Sequence, residues 1–229
     1  MMQDEIERRW LVDQTVSIEE LKQQAFGIED IYQGYLGLAG DFIIRVRIVH
    51  PTLVRVGGKV YTDQTGLICQ DPSFIGYTPP ISETPGAERS AIPEEAFLTF
   101  KGPSQDGRVP EFEWPITQDE AQELMSHTGG AQIHKTRYTI HLPGPGAQLL
   151  EVDVFHGKHH GLVIAEMELL NPNDPVTVPV WCSKEITGDK KYSNFSMAHC
   201  REPFAEIWKY LAPETCVKYC RLPSIPKED

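Results

Sequence analysis

Charged residues recur at every second position in six short segments of this chain, a seventh sets a lysine opposite an aromatic, and that periodicity constrains the fold more than any other feature. The segments are Glu5–Trp10, Ile44–Ile48, Leu98–Lys101, Glu111–Trp114, Lys135–Tyr138, Glu151–Val154 and Glu166–Leu169. Neighbouring side chains of a β-strand take opposite faces, so each segment, as a strand, has a charged face and an apolar one. Glu5, Glu7 and Arg9 share a face, with Ile6 and Trp10 on the other. Arg45 goes with Arg47, Glu111 with Glu113, Lys135 with Arg137, Glu151 with Asp153 and Glu166 with Glu168, while Lys101 lies opposite Phe100. A solvated strand face explains any one of these. Seven together, carrying both signs, predict a β-barrel of α+β class. It is a closed antiparallel sheet of about eight strands, apolar outside under a few flanking helices and charged in its lumen. Buried charge is costly unless neutralised. Such a lumen is economical when it holds a polyanion against its Arg and Lys residues and divalent cations against its Glu and Asp residues.

The rest of the chain frames that sheet as one domain over residues 1–229, without internal repeats. Ser17-Ile18-Glu19-Glu20 and Thr117-Gln118-Asp119-Glu120 are capping boxes, each marking a helix start. A third helix is expected over Arg201–Leu211, in a helical C-terminal tail from about residue 195, with Phe204, Ile207, Trp208 and Leu211 on one stripe. Pro72, Pro79, Pro80, Pro85 and Pro93 exclude helix and central strand from much of an insertion at about residues 60–94. That insertion is expected outside the barrel, as a lid or contact surface. Five cysteines, an odd number with no CxxC, argue against a disulfide framework and against zinc. His156, His159 and His160 stand beside Gly157 and Gly161 and read as a turn with exposed imidazoles. Gly57-Gly58 reads as a hairpin, and there is no GxxxxGK[ST] phosphate loop.

Composition narrows the function. Lys and Arg number 21 against 33 Asp and Glu, a net charge of −12, which argues against an electrostatic nucleic-acid binder. No apolar run reaches the roughly 18–20 residues that cross a bilayer. The charged first residues lack a signal-peptide apolar core. A cytoplasmic protein with no membrane partner is expected; a homodimer, or a protein contact through the insertion, stays open.

Glu5-Ile6-Glu7-Arg8-Arg9-Trp10-Leu11-Val12 resembles the N-terminal ExExK signature of the CYTH superfamily, the triphosphate tunnel metalloenzymes. In family order follow Gln33-Gly34-Tyr35-Leu36, Arg45-Val46-Arg47, Leu98-Thr99-Phe100-Lys101, Glu111-Phe112-Glu113, Lys135-Thr136-Arg137-Tyr138, Leu150–Phe155, Ala165–Leu169 and Glu185–Asn194. The resemblance spans Glu5 to about Asn194 apart from the insertion. Its spellings at Gln33–Leu36 and Lys135–Tyr138 are most like bacterial inorganic triphosphatases. Two departures stand out: Arg9 where the family usually has Lys, and the long stretch between Arg47 and Lys101.

The resemblance implies a metal-dependent phosphoanhydride hydrolase acting on the terminal bond of a small-molecule triphosphate, inorganic tripolyphosphate first. Arg9, Arg45, Arg47, Lys101, Lys135, Arg137 and Lys190 would bind phosphate, for which guanidinium forks and ammonium point charges are suited. Glu5, Glu7, Asp153, Glu166 and Glu168 would hold Mg²⁺ or Mn²⁺, which prefer oxygen ligands. Arg9, Tyr35, Lys101 and Glu113 are the candidates for a direct part in catalysis. Glu111 and Glu151 are candidates for pairing with cations across the tunnel. Glu111 and Glu113 stay open between holding a metal-bound water, acting as base, and ion pairing. Tyr35 stays open between a tyrosinate favoured by Arg9 and a lining aromatic. On the same fold the alternatives are a class IV-type adenylyl cyclase and a phosphatase of thiamine triphosphate, nucleotides or RNA 5′-triphosphates. A non-catalytic triphosphate-binding or partner-docking module is a further alternative, against which the number of carboxylates argues.

Overall fold

The computed structural model describes residues 2–13, 16–56, 59–62, 66–70, 94–104, 108–143 and 148–200. Twelve strands form one antiparallel sheet: β1 (Met2–Glu5), β2 (Glu7–Val12), β3 (Ala25–Ala39), β4 (Phe42–Val56), β5 (Lys59–Thr62), β6 (Gly66–Gln70), β7 (Glu95–Lys101), β8 (Val109–Pro115), β9 (Gln132–His141), β10 (Leu149–Phe155), β11 (Val163–Glu168) and β12 (Cys182–Glu185). Ten run in the order β1-β8-β7-β4-β3-β9-β10-β11-β2-β12, and β5 and β6 extend from β4. Three helices accompany them: α1 (Ile18–Gln24), α2 (Gln118–Ser126) and α3 (Asn194–His199). Ser17 and Thr117 cap α1 and α2 with both reciprocal bonds of a capping box, which satisfies amides that a helix start leaves without partners.

The expectation of a closed eight-stranded barrel is corrected in strand number and in closure. The sheet has twelve strands, and among the described residues no ladder joins the two ends of its order. The physical reason lies at Ile6. β1 pairs with β8, whereas β2 pairs with β11 and β12. The backbone therefore passes through a single residue from the edge strand β1 to β2, the last strand but one at the other end of the order, where a barrel would have a ladder. The sheet still wraps far enough for Lys101 on β7 to act electrostatically on Glu166 on β11, with four strands between them in the order.

The two faces follow the alternation of the sequence. On the outer face Trp10, Val12, Ile28, Tyr138, Ile140, Leu150, Val152, Ala165 and Met167 bury against Leu21 of α1. Further along, Val46, Ile48 and Ala96 bury against Ala121 of α2. At about 25 cal/mol per Å² of apolar surface, these two layers supply much of the driving force for folding. The alternate residues face inward, and at one end of the inner face they too become apolar. There Leu11, Tyr35, Ile133, Phe155 and Ile164 pack with Ile186, Tyr192, Met197 and Ala198, so α3 and the turn before it plug that end.

His159 fastens the plug. The expected turn of exposed imidazoles holds only in part, because His159 is 3% exposed and bonds through Nε2 to the Met197 carbonyl at 3.0 Å. A carbonyl only accepts, so Nε2 carries the proton. The first part of the insertion expected at about 60–94 forms β5 and β6 on the sheet, while its residues 71–93, Gly57-Gly58, residues 144–147 between β9 and β10, and the expected helix over 201–211 lie outside the described residues.

Burial, then the neighbouring Lys158 charge, pushes the His159 imidazole down to about 4. Between that value and about 6.5, the unfolded chain binds a proton that the native state refuses. Stability is therefore full above about pH 7 and falls as the pH drops through 6.5 towards 4. Denaturant unfolding across this range is expected to lose up to about 3 kcal/mol from this group, and His159→Asn to flatten the slope. Equal slopes in both proteins would remove His159 as the cause.

Candidate active site

The inner face is built by eight strands, β2, β3, β4 and β7–β11, that each contribute every second residue. Gly34 shows how tightly the opposite parity is held. A Cβ there would lie 2.4 Å from Thr128 Cγ2 and 2.6 Å from Met125 Sδ, so only glycine lets β3 lie against the end of α2. Its neighbours Gln33 and Tyr35 then point inward, both buried, with Gln33 Nε2 donating to the Tyr35 hydroxyl at 2.9 Å.

On β2, β9, β10 and β11 the charges form one connected network. Asp153 is fully buried and receives Lys135 Nζ and the fork of Arg137, whose Nε and Nη2 donate to its two oxygens at 2.8 Å each. Arg137 also pairs with Glu151, and its Nη2 donates to Glu166 at 2.9 Å. Arg9 donates through Nε to the other Glu166 oxygen at 2.8 Å and through Nη2 to the Tyr192 carbonyl at 3.1 Å. It lies 3.8 Å from Glu7. Glu7 faces Glu168 across the β2–β11 ladder, and Glu151 faces Glu166 across β10–β11.

A second network lies on β4, β7 and β8. Arg45 reaches Glu111 at 3.1 Å and Glu113 at 3.3 Å, and Arg47 holds both Glu113 oxygens at 3.0 Å. Lys101 lies 3.5 Å from Glu111, and the Thr99 hydroxyl donates to Glu113 at 2.8 Å. Arg47 Nε is buried with no hydrogen-bond partner. The expectation of a cationic side facing an acidic side is corrected here, because each cation doublet sits among carboxylates. Buried charges of one sign on adjacent strands repel, and intermixing relieves this.

The two networks nevertheless lean in opposite directions. The first sets Arg9, Lys135 and Arg137 against Glu7, Glu151, Asp153, Glu166 and Glu168. The second sets Arg45, Arg47 and Lys101 against Glu111 and Glu113. Burial, aided by Asp153 and Glu166, raises Glu151 to about 7 although Arg137 opposes it. In the second network burial and then the Arg45 charge lower the proton affinity of Arg47. Glu166 shows local compensation: against burial, Arg9, Lys135, Arg137 and Lys101 hold it well below the carboxylate range. The excess oxygen donors of the first network fit a hard divalent cation. The excess guanidinium charge of the second fits phosphate.

Glu29 was not apparent as a site residue from sequence. It lies on β3 opposite Arg137, and burial raises its pKa against the Arg137 and Arg47 charges. The signal was present, since the inward parity of Tyr35 and Gln33 runs back through Ile31 to Glu29. Of the remaining candidates, Lys190 is exposed on the turn before α3, and Glu168 is exposed at the end of β11. Glu5 ends β1 opposite Val109, and its side chain lies outside the described set. Tyr35 belongs to the plug, edge-on to Phe195 with centroids 5.3 Å apart. Burial pushes its phenol up despite the Arg45 and Arg9 charges, the opposite of what a tyrosinate needs.

No family model matches the chain. The inorganic triphosphatase of Acetivibrio thermocellus is 36% identical over 105 residues, which cover 45% of this chain and 65% of that protein. The inorganic triphosphatase of Nitrosomonas europaea is 35% identical over 106 residues, covering 45% of this chain and 68% of that protein. A crystal structure of an inorganic triphosphatase superposes with a TM-score of 0.47 at 25% identity, over 85% of this chain and 93% of that one. The identity to the Nitrosomonas europaea protein over two thirds of its length places this chain in the inorganic triphosphatase family, within the CYTH superfamily that its strand motifs resemble. It spans about two thirds of the length of these two relatives.

Asp153 anchors the first network, because two buried cations depend on it. Asp153→Ala is expected to lower the unfolding free energy by about 3–5 kcal/mol, the cost of leaving buried charge uncompensated. Urea denaturation measures this, and a loss below about 1 kcal/mol would show that Lys135 and Arg137 find other partners.

Proposed function

We propose that this chain hydrolyses the terminal phosphoanhydride of inorganic tripolyphosphate, giving pyrophosphate and phosphate, with Mg²⁺ or Mn²⁺ as cofactor. The observation that carries this reading is the opposite charge excess of the two inner networks. A simple polyanion receptor has no use for five carboxylates on three adjoining strands. A metal–triphosphate complex matches both halves at once.

Arg45, Arg47 and Lys101 hold phosphoryl oxygens in this scheme, with Arg47 Nε, already buried, directed to the substrate. Arg9 and Arg137 reach the phosphates from the opposite wall and keep Glu166 oriented through their bonds to it. Glu7, Glu166 and Glu168 hold the divalent ion, and Asp153 holds Lys135 and Arg137 in place from behind. The bound ion neutralises phosphate charge and polarises water for in-line attack, chemistry of the kind such ions supply. The protein residues contribute mainly positioning and a fixed electrostatic field, from which most of the catalysis of phosphoryl transfer comes. Glu113, which takes Thr99 and two arginines, holds that field in shape. The plug of α3 excludes water from one end.

Phosphate release from tripolyphosphate, ATP, GTP and thiamine triphosphate, with each ion in turn, tests the reading. Tripolyphosphate is expected to be the fastest substrate. A faster organic triphosphate, or cyclic nucleotide as the main product from ATP, would overturn it. Glu168→Ala is expected to abolish turnover with little change in melting temperature, because the side chain is exposed. Arg45→Ala and Arg47→Ala are each expected to weaken triphosphate binding by about 1.5–3 kcal/mol, the range for a hydrogen bond to a charged group. Unchanged affinity by calorimetry in both arginine variants would take them out of the site.

A further inference from the structure

Strands that line the inner face also meet on the outer face, at Asp30, His134 and His156. Asp30 lies on β3 opposite Thr136 of β9, and Tyr32 lies opposite His134. His156 follows β10 and donates its backbone N–H to the His134 carbonyl at 2.9 Å. One ligand atom from each of the three side chains lies within 4.8 Å of the other two. Their sequence neighbours Glu29, Lys135 and Phe155 belong to the inward parity. The group is therefore separated from the inner carboxylates by the sheet itself.

The three side chains are oriented, and their bonding is incomplete. The Thr136 hydroxyl donates to Asp30 Oδ1 at 2.8 Å and lies 2.7 Å from His156 Nε2. A hydroxyl has one proton, so this one accepts from Nε2–H. That fixes the His156 tautomer and places its lone pair on Nδ1. The His134 ring stacks on Tyr32 with centroids 4.1 Å apart. Its Nε2 is buried without a hydrogen-bond partner and lies 3.6 Å from Asp30 Oδ1. Beside the group a cavity of about 420 Å³, lined by Asp30, Thr136, Ile28 and Tyr138 among others, offers access.

We propose that Asp30, His134 and His156 form a site for a borderline transition-metal dication of the Zn²⁺ type, distinct from the inner-face Mg²⁺ or Mn²⁺ site. Two imidazole nitrogens and one carboxylate oxygen are the donor set such ions select, whereas Mg²⁺ prefers oxygen alone. Three protein ligands leave a fourth position for water or a small ligand. Thr136 is the positioning residue, since it orients Asp30 and His156 together. The bound ion links β3 and β9 to the end of β10 on the outside, while the same strands present Glu29, Lys135, Arg137 and Asp153 inside.

Calorimetric titration of the metal-stripped full chain with Zn²⁺, in excess Mg²⁺, tests the proposal. One equivalent of Zn²⁺ is expected to bind and to raise the melting temperature. Asp30→Ala and His156→Ala are each expected to weaken that binding at least tenfold, and Thr136→Val by about 10–100-fold. Imidazole ¹⁵N spectra of the unmutated chain are expected to show the first equivalent shifting His134 and His156. The proposal fails if Zn²⁺ does not bind in excess Mg²⁺, if the variants bind like the parent, or if the first equivalent shifts other imidazoles.

Discussion

The carboxylate of Asp153 is fully buried, and the cations of Lys135 and Arg137 are committed to it. A charge so far from water is tolerated only when paired and hydrogen-bonded. This one pairing fixes the register of β9 on β10, because a slip of β9 by one residue would turn Lys135 and Arg137 to the outer, apolar face and leave Asp153 without them on the inner one. The β10–β11 and β11–β2 ladders extend the constraint to Glu166 and Arg9. The inside-out sheet is thus held by apolar burial on its outer face and by charge matching on its inner one. Each requirement enforces the same period of two.

Charge matching is complete locally and incomplete over the whole inner face. Cations and carboxylates intermix within each network: the β10–β11 pair carries only carboxylates, and the cations of the flanking strands β9 and β2 oppose them. Yet one network has more acids and the other more bases, which leaves a remainder of each sign. A functional face needs that remainder. A fully neutral set of ion pairs would have nothing left for a metal or a phosphate.

Much of this was legible in the sequence. Six of the seven segments keep the expected parity; the first, Glu5–Trp10, is split at Ile6 with the Glu5 side chain outside the described set. Ser17 and Thr117 cap helices as their spacing requires. Closure was not legible, because it turns on Ile6, a single residue where one extended run changes partners. The plug was hidden because Leu11, Ile133 and Ile164 alternate like any apolar strand residues, and only the fold shows that their parity is inward. Ion pairing among Arg45, Arg47, Glu111 and Glu113 depends on which strands are neighbours, which periodicity cannot say. His159 and His156 share one short turn, yet one is buried under α3 and the other faces Asp30. That difference comes from tertiary packing alone.

The central claim is that the inner face is complementary to a metal–triphosphate complex, with neither component sufficient by itself. Calorimetry with a non-hydrolysable triphosphate analogue, at one pH and ionic strength, with and without Mg²⁺, tests it most directly. Markedly tighter binding is expected with the ion present. A proton is expected to be released as Glu151 ionises against it, read from the dependence of the heat on buffer. Equal affinity with and without Mg²⁺, and no proton release, would contradict the claim.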